Sequence, residues 1–309
     1  MRDQFTVRDV QATYSPGMSS PYLLALRGNL VIVGYQPDGD SIRFIADEPA
    51  HFDDIYRGYK IRLGPRDGSV QLRLEAIDAP ELHYGKAAQP DGAAARDWLL
   101  NQVGFTDVAY QPGTATVVSA VPDAVPAVIY TKASDPNGRP ISYLHVGTGR
   151  RPTDGTWTPV TNSVLDHTVN AHALSGGIAY PTFYTSTPAP HVRHLRALAR
   201  GAREDKAGVW AADLTPLFQL VDPSSIGPEG QLILPKLFRR ATDYLKDLAD
   251  GFHGNLSDWL RANNSGTRRE DDLVLLPGGV EAPLSTLVEQ RNSWLAFTPD
   301  PLEISFVEK

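Results

Sequence analysis

Several short stretches of this chain gather acids and arginines in patterns suited to holding ions. Asp38-Gly39-Asp40-Ser41 sets two carboxylates on either side of a glycine. Arg73-Leu74-Glu75-Ala76-Ile77-Asp78-Ala79-Pro80-Glu81 places an arginine ahead of two acids that flank Ala-Pro. Asp135-Pro136-Asn137-Gly138-Arg139 is a turn sequence that ends in an arginine. His191-Val192-Arg193-His194-Leu195-Arg196 is a basic stretch, followed by Lys206-Ala207-Gly208-Val209-Trp210. Carboxylates are hard oxygen donors of the kind that hold calcium or magnesium. A planar guanidinium can hydrogen-bond two oxygens of one anion at once, which an ammonium cannot. Each stretch taken alone also has a plainer reading. These are an Asp-Gly turn with solvated acids, a strand end running into a helix with Pro in its first turn, a hairpin turn with one exposed arginine, and a basic helix face closed by glycine.

In this order the stretches resemble the staphylococcal nuclease (thermonuclease-like) family. There, Asp-Gly-Asp is followed by an arginine on a strand leading into Asp-x-Pro-Glu, then a Gly-Arg turn, then a late helix ending near a tryptophan. The resemblance covers residues 28–212 and is most specific over residues 73–81. Val169-Asn170 and Gly177-Ile178-Ala179 match the stretch that precedes the family's last helix. It implies Asp40 and Asp78 as metal-binding carboxylates, Ala79 as donor of a backbone carbonyl, and Asp38 behind them. Glu81 would orient or activate the attacking water, and Arg73 and Arg139 would clamp the scissile phosphate. The chain departs from the pattern in residues 51–68 and 148–166, which read as insertions, and in its aromatics. Tyr180, Phe183 and Tyr184 match the substrate-contacting aromatics only loosely, and aromatics so placed are more often core.

The resemblance implies a calcium-dependent nuclease acting on DNA or RNA and leaving 3′-phosphate ends. The residue types suit that chemistry. A phosphodiester is anionic and repels hydroxide; a hard dication neutralises it and holds a water nearby. Few protein ligands and room for water favour calcium over zinc, and the chain has no cysteine to bind zinc as thiolate. Guanidinium groups match the charge that builds on the phosphoryl oxygens. The alternative is a nuclease-like barrel that binds nucleic acid or protein without cutting, since a fold alone does not define an activity. A binding module, however, has no need of Asp40, Asp78, Glu81, Arg73 and Arg139 together. His191 and His194, at i and i+3, are expected on a solvated helix face, and His83 at the surface beside Glu81.

The elements that must position these groups follow from periodicity. Asn29-Leu30-Val31-Ile32-Val33, Ser41-Ile42-Arg43-Phe44-Ile45 and residues 70–77 read as strands, and residues 92–101 and 191–206 as helices. The fold class expected is α+β: a five-stranded OB-type β-barrel with packed helices over residues 28–212. Residues 1–27 read as a polar extension with a turn at Ser15-Pro16-Gly17. Residues 213–309 read as an additional C-terminal α/β region carrying no recognisable motif. Leu234, Leu237, Phe238, Ala241, Leu245 and Leu248 there follow helical spacing, with Lys236, Arg239, Arg240, Asp243 and Asp247 on the polar side. Further elements are expected at 256–262, 273–276 and 302–307. This region could dock on the barrel, self-associate or bind a partner protein; because it holds none of the matched residues, it is expected to be dispensable for chemistry.

The chain has 309 residues, 41% hydrophobic and 21% charged, an ordinary globular composition. Its net charge of -7 is the wrong sign for a protein that coats nucleic acid non-specifically. It leaves room for a small cationic site on an acidic body. With no cysteine, a disulfide framework is excluded. No apolar run of signal-peptide or membrane-spanning length is visible, so no membrane association and a cytoplasmic location are the expectation.

Overall fold

The structure, a computed structural model, describes residues 21–147, 152–265 and 269–308. The turn expected at Ser15-Pro16-Gly17 lies outside these residues, as do parts of the 148–166 stretch and the loop before residue 272. In chain order the first part holds β1 (Tyr22–Val31), β2 (Arg43–Ala46), β3 (Val70–Gln71), β4 (Arg73–Leu74), β5 (Ile77–Asp78) and α1 (Gly92–Val103). It continues with β6 (Thr106–Tyr110), β7 (Val117–Val121), β8 (Val125–Ser134), β9 (Pro140–Val146) and β10 (Thr156–Pro159). Then come α2 (Asn162–Leu165), α3 (Val169–Ser175), β11 (Tyr180–Pro181) and α4 (Ala189–Glu204).

The main sheet runs β3-β2-β1-β8-β9-β4, with β10 added beside β1. Only the β4–β9 pair is parallel. β3 and β4 lie at opposite ends of this path, yet a single residue, Leu72, separates them in the chain. One continuous segment therefore closes both edges, and the sheet curls into a barrel-like form. β1 and β8 are its long members, and their inward residues, among them Leu24, Leu26, Leu30 and Ile129, are fully buried.

The sequence suggested one strand over 70–77, and the structure breaks it. Leu72 and Leu74 donate their N–H groups across the barrel edge to Ile42 and Asp40, after which Glu75 N–H turns to Ser142 O. Ala76 then takes φ 67°, a left-handed conformation that ends any extended run. Asp78 consequently faces Tyr180 in the separate β5–β11 pair. The polar lead also ends earlier than expected: residues 22–27 form the first half of β1. β8, whose Pro126 and Lys132 obscure the alternation in sequence, is a central strand.

The C-terminal part contains β12 (Leu217–Gln219), α5 (Pro235–Ala249), α6 (Leu256–Ala262), β13 (Leu273–Leu276), β14 (Val280–Pro283), β15 (Val288–Arg291), β16 (Trp294–Phe297) and β17 (Ser305–Phe306). It forms two small sheets, β12-β16-β15 and β14-β13-β17. Its apolar side chains do not form a core of their own. Leu237, Phe238, Ala241, Trp259 and Phe306 belong to one continuous buried cluster with Leu24, Phe44, Leu74 and Ile77. The last strand is tied back to the first part by hydrogen bonds from Phe306 N to Phe183 O and from Thr185 N to Phe306 O. Among the described residues, no helix is long and apolar enough to cross a membrane.

Candidate active site

The turn carrying Asp38 and Asp40 is shaped by Gly39. A side chain at position 39 would meet the Cβ atoms of Ala79 and Ala95 at 2.6 and 2.8 Å. Only glycine lets the turn lie that close to the 78–81 segment and to α1. Asp38 Oδ1 accepts from Gly39 N–H at 2.7 Å and from Leu82 N–H at 3.4 Å, which fastens the two acidic segments together. Asp40 is held by its backbone: its carbonyl accepts from Leu74 N–H, next to Arg73.

Arg139 is placed by an Asp135-centred turn. Asp135 Oδ1 accepts from the N–H groups of Asn137 and Arg139, each at 2.9 Å, and Asp135 Oδ2 accepts from Arg139 Nε at 2.7 Å. Gly138 has φ 81°, and a side chain there would strike Lys60 O. The long β2–β3 connection thus packs directly against the turn that carries Arg139. Asn170, fully buried, joins β9 to the arginine-bearing segment. It accepts from Leu144 N–H at 2.9 Å and donates to Glu75 O and Ser142 O.

These segments converge. Asp38, Asp40, Arg73, Asp78, Glu81 and Arg139 all line one pocket of about 400 Å³. Ala79 lies behind it, buried against Gly39. Tyr184 also faces the pocket and accepts from Arg73 Nη2 at 2.9 Å. Tyr180 and Phe183, grouped with Tyr184 in sequence, are instead core residues, 0% and 1% exposed. The Tyr180 hydroxyl donates to Asp213 at 2.9 Å and Phe183 packs beneath Arg196, so neither lines the pocket. His83 sits exposed at the rim, as expected. His191 departs from expectation: it is buried, donating from Nε2 to Val160 O at 2.9 Å, which leaves Nδ1 to accept from Tyr143 OH at 3.2 Å. His194 faces Asp166 instead.

The C-terminal part, expected to be dispensable, supplies two further cations. Lys236 and Arg239, one turn apart on α5, line the same pocket. Arg239 grips Asp78 with both terminal nitrogens, at 3.0 and 2.8 Å, and also donates to Glu81 Oε1. Lys236 pairs with Asp272 at 3.6 Å and lies over the rings of Tyr184 and Phe306. Gln89 links the parts again: its side-chain nitrogen donates to Ile233 O at 2.7 Å, and its side-chain oxygen accepts from Glu81 N–H at 3.1 Å. The amphipathic spacing of α5 announced a helix. Nothing local in the sequence announced that its polar face meets Asp78.

The electrostatics are those of crowded carboxylates. Burial, then the neighbouring charge of Asp40, pushes Asp38 up to about 7. Burial also raises Glu81 to about 7, against the pull of Arg239. Asp40 is raised by burial and by the charge of Asp78. Asp78 alone is lowered: burial opposes its ionisation, but Arg239 outweighs it. The Asp40 carboxylate accepts no hydrogen bond and makes no ion pair among the described residues, although the residue is half-buried. Arg139 and Lys236 are each already matched by an acid outside the acidic group. Four carboxylates therefore face chiefly Arg73 and Arg239, and three of them are raised toward protonation by burial and by neighbouring carboxylates. The all-oxygen donor set is of the kind a hard divalent cation takes. Among the described residues, no three acidic or histidine side chains are already drawn together as a ready-made metal cage.

The pocket thus sets Arg73 and Arg139 beside a cluster of carboxylates at a barrel-like sheet. No protein-family model matches the chain, and no curated protein matches it.

Proposed function

We propose that this pocket hydrolyses phosphodiester bonds of DNA or RNA with the help of a divalent cation, calcium fitting best, on a barrel of the OB type as in staphylococcal nuclease. The observation that carries the reading is the convergence of Asp40, Asp78, Glu81, Arg73 and Arg139, from separate segments, on one pocket. Asp40 and Asp78, with the Ala79 carbonyl, would hold the cation. The cation would supply charge neutralisation of the phosphate and a bound water. Glu81 would accept a proton from that water, and its raised affinity for protons suits the task. Arg73, oriented by Tyr184, and Arg139, oriented by Asp135, would hydrogen-bond the phosphoryl oxygens as charge develops on them.

A second reading, a barrel that binds nucleic acid or protein without cutting, is favoured by the Arg239 grip on Asp78 and Glu81, which occupies two of the working carboxylates. Incubation of the purified chain with single-stranded DNA and RNA separates the two, with calcium, with magnesium and with chelator. The nuclease reading expects cleavage with calcium, none with chelator, and 3′-phosphate ends. Binding without cleavage under every condition would establish the second reading.

A further inference from the structure

We infer that Arg239 is a resident counter-cation of the proposed ion site, competing with the divalent ion for Asp78 and Glu81. The inference rests on the phosphodiesterase reading and adds the C-terminal region to it as the element that sets how much ion the site requires.

The geometry supports a competitor more than a fixed strut. The guanidinium makes a two-pronged contact with Asp78 at 3.0 and 2.8 Å and a further bond to Glu81. Such charged, two-pronged contacts are among the stronger hydrogen bonds in proteins. They engage the same oxygens that an ion at Asp40 and Asp78 would need, and two cations within a few ångströms repel each other in a partly buried pocket. The Asp40 carboxylate, by contrast, accepts no hydrogen bond among the described residues and offers the ion its first contact.

The side chain can leave while its helix stays. Among the described residues, Arg239 bonds only to Asp78 and Glu81. α5 is fixed by other groups. Tyr84 OH donates to Asp243 at 2.6 Å, Arg240 pairs with Asp272 at 2.8 Å, and Leu237, Phe238 and Ala241 are buried. A released guanidinium remains in the pocket and becomes a third one there, beside Arg73 and Arg139, that can meet an anionic substrate. Ion and anionic substrate would then favour the same open arrangement, each easing the binding of the other.

Isothermal titration of calcium into the full chain, with no nucleic acid present, tests this. Arg239→Gln removes the positive charge and should tighten calcium binding by roughly 5- to 150-fold, the usual range for coupled ligands. Arg239→Lys keeps a charge but loses the two-pronged grip and should fall between. Circular dichroism melts confirm that each variant is folded; should Arg239→Gln fail to fold, the Arg239→Lys titration decides. Asp40→Asn, measured alongside, should lose the ion. If the folded Arg239 variants bind calcium no more tightly than wild type while Asp40→Asn abolishes binding, the competition is wrong and the ion site stands. If neither wild type nor the folded Arg239 variants bind calcium, or Asp40→Asn leaves binding unchanged, the ion-site reading falls and the competition with it.

Discussion

At the scale of single residues, the acids of the pocket are differentiated by their neighbours rather than by their types. Asp78 is held ionised by Arg239, while Asp38 and Glu81 are pushed up to about 7 chiefly by burial. Two carboxylates of opposite tendency within one site are the usual arrangement for dividing ligand and acid–base work. His191 shows the same principle in the core. Burial lowers its proton affinity, the charges of Lys132 and His194 add to this, and its neutral ring satisfies Val160 O and Tyr143 OH. The folded chain therefore binds fewer protons at His191 than the unfolded chain does. Its contribution is present above the ordinary histidine value of 6.5 and is lost as pH falls below it. The melting-temperature gap between wild type and His191→Gln should narrow between about pH 7.5 and about pH 5. A gap that widens on acidification would contradict this assignment.

At the scale of elements, what could be read from sequence depended on how local its cause was. The Asp38-Gly39-Asp40 turn, the 135–139 turn and the amphipathic α5 and α6 all carry their reasons within a few residues. The break at Ala76 does not, since its left-handed φ is imposed by the switch of hydrogen-bond partner from Asp40 to Ser142. The burial of His191 was hidden because its helix face looks polar until Tyr143 and Val160 are placed beside it. The contact of Arg239 with Asp78 spans 161 residues, beyond the reach of any periodicity. α5 also changes the status of the C-terminal part, because Phe238, 1% exposed, packs in the shared core and meets Tyr84 edge-on. Phe238→Ala should destabilise the whole protein by about 3–5 kcal/mol in a single cooperative transition. Denaturant melts followed both by fluorescence and by circular dichroism would check this. Separate transitions from the two probes would show that the C-terminal part folds independently. A chain ending after Trp210 would leave the core partner of α5 uncovered, so such a truncation is expected to misfold rather than to keep cutting.

At the scale of the molecule, an acidic chain of net charge -7 concentrates guanidinium groups around one carboxylate-rich pocket. Any affinity for a polyanion would have to come from that local arrangement rather than from overall charge. A barrel-like sheet brings together side chains from β4, β5 and the turns that follow β8 and precede β2, and α5 crosses the same pocket from the other end of the chain. We propose that these groups stabilise a transition state and do not merely hold nucleic acid. Only interactions stronger in the transition state than in the bound substrate accelerate a reaction. The most direct test compares wild type with Arg73→Ala on one single-stranded substrate. The single-turnover cleavage rate is measured with calcium, affinity with chelator, and folding by melting temperature. The account predicts a folded variant whose cleavage rate falls on the order of 10³- to 10⁵-fold, as for transition-state arginines elsewhere, while its affinity changes far less. A folded Arg73→Ala protein that cuts at the wild-type rate, or that loses affinity and rate by the same factor, would contradict it.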